Sequence, residues 1–346
     1  MSVKDFVKPH VFGLEKYVPG EYREGFIKLA SNENNYGPSP KVVKAVRGNA
    51  GRSHVYPFLD SEVRNLAARY AGVSEDCVMT GNGSDELMEL VLKTFQGPVA
   101  SFYPSYSSYR IFPRMLGMEF FDIGLRPDFS WDVEDFILKA KRANLFFIGS
   151  PNNPTGRVVE EADLVRLLDE GKIVVLDEAY FEFSGQSHVK LTKKYENLLV
   201  LRTLSKAFGI GGLRVGYMVG SPETVSYVNS LKPPFSIASL AEFAALAALK
   251  DLPYMRSCVR KIVKDRERLA KILGSRFKVV PSQANFLLMD VSPMSSGVFF
   301  NRMLRERIII RKFGKFKGFN GDYVRITVGT SEENERLIKA VSKLPG

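Results

Sequence analysis

The sequence predicts an α/β fold: a large domain with a mostly parallel central sheet flanked by helices, followed by a smaller α+β domain. Three observations carry this expectation. Short apolar runs at 99–102, 145–148, 173–176 and 198–201 are each bounded by turn residues, the pattern of strands buried on both faces. Segments of helical spacing lie between or beside them; 84–95 aligns Leu87, Leu90, Val91 and Thr94, and 161–168 carries Leu164, Leu167 and Leu168. Past residue 250 the predicted strands shorten and alternate with helices of their own, which sets a second lobe apart.

In chain order, residues 1–35 hold several turn residues and little periodicity, so they are expected to drape over a neighbouring surface, packing with the small domain and a dimer partner, rather than build a core. The large domain is assigned to 36–250. An alanine-rich helix at 239–250 closes it, and Pro253 separates that helix from another at about 255–273. The small domain, 251–346, is expected to hold strands at 285–289, 308–311 and 323–328, with helices around 298–307 and 332–344.

Bulk properties narrow the function classes. The 346 residues are 45% hydrophobic and 25% charged, ordinary globular proportions that exclude wholesale disorder. Cys77 and Cys258 are far apart and lack metal-ligand or redox spacing, so neither a disulfide nor a metal centre is expected. No window has the apolar length of a signal peptide or a membrane span, which predicts a cytoplasmic protein without a membrane partner. The net charge of +11 suits anionic ligands, yet the basic residues are dispersed, with only short clusters such as Arg311-Lys312 and Lys315-Phe316-Lys317. A solvated basic surface is expected, and no nucleic-acid partner, since no helix-turn-helix segment precedes Tyr17.

The chemistry concentrates in four segments. Residues 201–216, Leu-Arg-Thr-Leu-Ser-Lys-Ala-Phe-Gly-Ile-Gly-Gly-Leu-Arg-Val-Gly, put Lys206 at the end of a buried strand. Desolvation there lowers an ammonium's pKa, which is what a Schiff-base lysine needs. Thr203, Ser205 and Arg214 supply the donors a phosphate requires, and Gly209, Gly211 and Gly212 allow the tight turn between. Next, Ile-Val-Val-Leu-Asp-Glu-Ala-Tyr at 173–180 delivers Asp177 to a strand end, where the protonated pyridine nitrogen of pyridoxal 5'-phosphate would be a fitting partner. Tyr180, three residues on, is placed to bond that cofactor's phenolic oxygen, and Asn153 in Gly-Ser-Pro-Asn-Asn-Pro-Thr-Gly (149–156) can reach it from another side. Finally, Thr-Gly-Asn-Gly-Ser-Asp-Glu at 80–86 opens a helix, so Gly83, Ser84 and Asp85 offer a close backbone approach and free amides to an anion. Tyr106 could stack on the pyridine ring. Singly, each has a plainer reading: a snorkelling lysine, a helix-capping Asp177 or Ser84, a mere turn at 149–156, a core tyrosine.

Together, and in this order, the segments resemble the fold-type I pyridoxal-phosphate aminotransferases from about Leu14 to the C-terminus. Within that superfamily the chain is most similar to the histidinol-phosphate aminotransferases, through Tyr-Val-Pro-Gly-Glu (17–21), Lys-Leu-Ala-Ser-Asn-Glu-Asn (28–34), Arg-Thr-Leu-Ser-Lys-Ala-Phe (202–208) and Val-Arg-Ile-Thr-Val-Gly-Thr (324–330). The resemblance implies that Lys206 carries the cofactor and shuttles a proton, that Asp177 pairs the ring nitrogen, and that Arg214 and Ser205 hold the phosphate. It makes Arg325 and Arg311 substrate anion clamps, Asn32 a substrate-binding residue and Tyr17 a residue that closes over the substrate. Tyr56 resembles the tyrosine that reaches a partner's cofactor phosphate, implying an obligate homodimer whose other subunit also packs against 1–35. Asn35, where a proline is common, and Phe58-Leu59, where acidic and proline residues often follow Tyr-Pro, depart from the pattern. The reaction implied is ping-pong transamination in histidine biosynthesis: glutamate donates its amine, imidazole-acetol phosphate accepts it, and L-histidinol phosphate and 2-oxoglutarate result. A broad aromatic aminotransferase or a threonine-phosphate decarboxylase would share the cofactor residues and differ at the anion clamps.

Overall fold

The computed structural model describes residues 1–14 and 20–344, so the motif residue Tyr17 lies outside the described residues. In chain order the strands are β1 (Ile27–Leu29), β2 (Val78–Gly81), β3 (Val99–Tyr103), β4 (Phe120–Gly124), β5 (Leu145–Gly149), β6 (Ile173–Asp177), β7 (Leu198–Thr203), β8 (Gly216–Val219), β9 (Lys278–Val279), β10 (Phe286–Asp290), β11 (Ile308–Gly314) and β12 (Tyr323–Thr327). They form two sheets, ordered β2-β8-β7-β6-β5-β3-β4 and β1-β11-β12-β10-β9.

In the seven-stranded sheet β4, β3, β5, β6 and β7 run parallel, while β8 runs antiparallel to both β7 and β2. The apolar runs read as doubly buried strands are just that: every residue of β5 and β7 is buried, as is β6 beyond Ile173. Helices cover the faces. Gly83–Thr94 buries Leu87, Leu90 and Val91 with Met88 and Leu92, while Thr94 turns its hydroxyl back to the Leu90 carbonyl at 2.8 Å. Parallel strands present their carboxyl ends at one edge, and here Gly149 pairs with Asp177 and Asp177 with Leu201.

Behind that edge lies a buried ion pair. Arg202 and Glu178 are only 2% and 1% exposed, and both Nε and Nη2 of Arg202 donate to Glu178 Oε2, at 3.0 and 2.9 Å. The guanidinium also sits 3.8 Å over the Phe181 ring. Because strand neighbours alternate faces, this pair ties the ends of β6 and β7 together on the side opposite Thr203.

In the five-stranded sheet β12 is antiparallel to both β10 and β11, and β9 to β10. Its edge corrects one expectation. Within the stretch read as draped, Ile27–Leu29 forms a strand that pairs in parallel with Ile308–Ile310 and buries both Ile27 and Leu29. Three residues are too few to reveal a period of two, and the pairing is supplied by a strand about 280 positions away. The first residues do lie along a surface: His10 and Phe12 face Ile111 and Arg114, at the helix Ser108–Met115. Pro253 does stand at the break between two helices, the first of which ends at Leu249. It occupies the first turn of a helix running from Leu252 to Gly274, where its missing N–H costs nothing.

Aromatic rings lock the two sheets together. Phe129, beyond β4, stacks on Phe319 of the β11–β12 connection at 4.6 Å, and Phe316 stacks on Tyr323 at 5.0 Å while meeting Tyr103 edge-on. This clasp holds the β11–β12 hairpin against the end of β3.

Candidate active site

A cavity of about 490 Å³ opens between the carboxyl edge of the seven-stranded sheet and the β11–β12 hairpin. Asp177, the last residue of β6, lies at its floor. Its Oδ2 accepts the Tyr109 hydroxyl at 2.7 Å and its Oδ1 the Ala179 N–H at 3.0 Å. Burial pushes the carboxyl up to about 6, against these two donors, which favour the ionised form.

Lys206 follows β7 and lines the same cavity, its Nζ donating to the Ser31 carbonyl at 2.9 Å. Burial, reinforced by the positive charge of Arg325, lowers the ammonium to about 8. An amine so placed is close to neutral under mildly basic conditions and able to act as nucleophile or base. Beside it the Tyr180 hydroxyl accepts Asn32 Nδ2 at 2.9 Å. Asn32 has a left-handed backbone, φ 57°, anchored by its own N–H to Thr327 Oγ1 at 2.9 Å and by Asn285 Nδ2 to its carbonyl at 3.0 Å. Three distant segments thus fix one tyrosine oxygen.

One end of the cavity is an anion cradle. Thr203 Oγ1 donates to Ser205 Oγ at 2.9 Å, Arg214 Nη1 reaches Ser205 Oγ at 3.4 Å, and Arg214 Nη2 pairs with Asp85 at 3.1 Å. The first turn of Gly83–Thr94 faces the same place through Ser84 and Asp85. Gly83 has φ 76°, a conformation that strains any other residue, and a Cβ there would press on the Arg214 guanidinium, so glycine suits the approach of the helix start to the arginine. Tyr106 lines the cavity, donates to Asp85 Oδ1 at 3.2 Å and meets Tyr109 edge-on at 5.6 Å.

The other side carries two arginines in register: Arg311 of β11 is directly opposite Arg325 of β12, and both line the cavity. Arg325 is buried, donates to Asn153 Oδ1 and to the Ala30 carbonyl, the latter at 2.7 Å, and lies 5.2 Å over Phe286. Two guanidiniums on facing strands concentrate positive charge at this end of the cavity, which suits an anionic ligand.

The sequence-predicted residues Asn32, Ser84, Asp85, Tyr106, Asn153, Asp177, Tyr180, Thr203, Ser205, Lys206, Arg214, Arg311 and Arg325 all line this one cavity, with Gly83 against Arg214. Tyr56 does not join them. It is 74% exposed and stacks on Phe235 at 4.7 Å. Sequence reading passed over Tyr109, Ser31 and Phe313, which also line the cavity. Tyr109 is one helical turn beyond Tyr106 and Phe313 two strand positions beyond Arg311, so spacing from a named residue could have found both. Ser31 meets Lys206 through its backbone carbonyl and leaves no side-chain signal. Among the described residues no group of three or more His, Cys, Asp or Glu is placed to hold a metal ion.

The site agrees with what the chain resembles. The profile of the family described as aminotransferase class I and II matches residues 24–341. The histidinol-phosphate aminotransferase of Thermococcus gammatolerans is 38% identical over 336 residues, covering 96% of this chain and 94% of the relative. That of Thermoanaerobacter pseudethanolicus is 35% identical over 99% of both. Among solved structures, the histidinol-phosphate aminotransferase of Clostridium acetobutylicum superposes with a TM-score of 0.84 at 27% identity, over 91% of this chain and 97% of that one. The Sinorhizobium meliloti enzyme, solved with pyridoxal-5'-phosphate, shares the fold with a TM-score of 0.88 at 24% identity, over 97% and 96%. The chain therefore belongs to the class I and II aminotransferases and, within them, to the histidinol-phosphate aminotransferase family.

Proposed function

We propose that the protein transfers an amino group between L-histidinol phosphate and 2-oxoglutarate, running in biosynthesis from glutamate and imidazole-acetol phosphate toward histidine. The observation that carries this reading is the cross-strand pair Arg311 and Arg325 facing Lys206 over one cavity. A substrate with a phosphate and a co-substrate with a distal carboxylate both present an anion to such a pair.

The cofactor is pyridoxal 5'-phosphate, and the residues present fit it: a cradle that a glycine leaves open, a half-buried lysine with a weakened proton and a buried carboxylate at the floor. Arg214, Ser205, Thr203 and the helix start at Gly83, Ser84 and Asp85 would hold its phosphate, Asp177 its ring nitrogen, Tyr180 and Asn153 its phenolic oxygen and Tyr106 its ring face. When bound, it supplies a carbonyl carbon for the amine and a conjugated ring that takes up the electrons left behind by a departing Cα proton. The chain's own part is to orient and to move protons. Lys206 Nζ, neutral above about pH 8, takes the proton from the substrate Cα. Asp177 balances positive charge at the floor, Arg311 and Arg325 fix the substrate's anionic end, and Phe313 excludes water beside them. Asn32 orients Tyr180 by donating to its oxygen.

The same reading divides the chain into an N-terminal segment 1–35, a cofactor domain 36–250 and a small domain 251–346. It also makes the protein a cytoplasmic homodimer in which Tyr56 reaches the partner's cofactor phosphate and Tyr17 closes over the substrate. The exposure of Tyr56 and of Phe235, on which it stacks, supports the dimer. Among the described residues no helix is long and apolar enough to cross a membrane.

The test is the visible spectrum of the loaded protein. Loss of the cofactor band at low L-histidinol phosphate, but only at far higher L-phenylalanine, is the expected result. Equal response to L-phenylalanine makes the protein a broad aromatic aminotransferase, and carbon dioxide release from threonine phosphate makes it a decarboxylase.

A further inference from the structure

We propose that Tyr109 is a positioning residue that holds Asp177 ionised and correctly turned toward the cofactor's ring nitrogen. This rests on the reading of Asp177 given above. A carboxylate at a strand end can rotate, and one bond does not stop it. Asp177 has two, from unrelated directions: the Ala179 N–H of its own loop on Oδ1 and the Tyr109 hydroxyl, from the helix Ser108–Met115, on Oδ2. The tyrosine is itself immobilised, buried between Phe147 and Tyr106 with ring centroids at 5.6 Å from each. Room for its hydroxyl is built in at the neighbouring strand end. A Cβ on Gly149, the last residue of β5, would lie only 3.0 Å from the Tyr109 oxygen.

Packing alone would be served by phenylalanine; the hydroxyl needs another reason. The groups facing Asp177 divide in their effect. Burial and the Asp85 carboxylate, from the helix Gly83–Thr94, push it toward the neutral acid, whereas Lys206 beyond β7 and the donors Tyr109 and Ala179 favour the charged form. Tyr106 and Tyr180 are the remaining titratable neighbours of the pair, and burial with the adjacent carboxylate keeps the Tyr109 proton in place far above neutral pH. Tyr109 is therefore a permanent donor, and only the ionised carboxylate accepts fully from it. With the Asp177 carboxyl near 6, losing that donor raises the pH below which the charge is lost.

The experiment measures equilibrium affinity for pyridoxal 5'-phosphate from pH 5 to 9 in the full chain, Tyr109→Phe, Asp177→Asn and the double variant. In Tyr109→Phe the affinity at pH 9 should match the parent, while its acid fall-off should move upward by about one pH unit, the scale of one buried neutral hydrogen bond. In the Asp177→Asn background the same substitution should do nothing. An unmoved acid limb, or an equal loss with Asn at 177, overturns the inference while leaving the role of Asp177 intact. If Asp177→Asn itself leaves affinity and its pH dependence unchanged, the reading of Asp177 falls, and the inference falls with it.

Discussion

The two walls of the cavity are built on opposite principles. Along the seven-stranded sheet the polar groups arrive already satisfied: Asp177 by Tyr109 and Ala179, Ser205 by Thr203, Arg214 by Asp85, and Arg202 beneath them by Glu178. Along the five-stranded sheet Arg311 and Arg325 oppose each other in register, like charge against like charge. The first wall needs little rearrangement to receive one constant ligand. The second gathers two guanidiniums on facing strands, one of them already held by Asn153 and the Ala30 carbonyl, which suits a ligand that brings an anion and leaves with it.

Four measurements would break or sharpen that contrast. The largest effect belongs to the first wall's reacting group: Lys206→Ala should lower turnover by about 10²- to 10⁴-fold, the range of a positioned general base, in single-turnover kinetics with L-histidinol phosphate. Next, Arg202→Met should cost the apoprotein roughly 3–5 kcal/mol in urea unfolding, because it strands the buried Glu178 charge; no loss would mean the wall's pre-satisfaction has no structural weight. On the second wall, Arg325→Met should raise KM for the phosphorylated substrate by about 10- to 100-fold, the value of one or two charge-assisted bonds, with a smaller change in kcat. A kcat-only effect would place Arg325 with the constant ligand instead. Smallest is a pH effect on stability. The Lys206 ammonium lies near 8 in the fold against an ordinary 10.5, so the native state holds its proton less tightly than the unfolded chain. The penalty is complete below about pH 8 and relieved as pH rises toward 10.5. Lys206→Met should therefore stabilise the apoprotein at pH 7 by on the order of 2 kcal/mol, the amine being partly open to the cavity, with the gain shrinking in alkaline melts.

What was legible in the sequence follows the same divide. β5, β6 and β7 are continuous apolar runs because both of their faces are buried, and the residues at their ends stand out as polar interruptions. β2 and β8 are four residues each, rich in glycine and threonine or tyrosine, and carry no such run. β1 was missed because its partner supplies the order its own three residues lack. In the site, side chains at strand ends were readable. Contacts made by a backbone carbonyl, as at Ser31, or by a neighbouring helix, as at Tyr109, exist only once the chain has folded. Tyr56 shows the converse: its motif is plain, yet its place is outside the cavity of its own chain.

The parallel pairing of β1 with β11 also has a consequence for how the chain is made. Residues 27–29 are synthesised about 280 positions before Ile308–Ile310 and can pair only once that later strand has followed. Until then the Ser31 carbonyl and Asn32, a few positions on, have no sheet to hold them against Lys206 and Tyr180. The seven-stranded layer can assemble during translation, whereas the active site closes as one of the last, longest-range events of folding. A nascent or truncated chain ending before residue 308 therefore carries Lys206 without the strand that completes its surroundings.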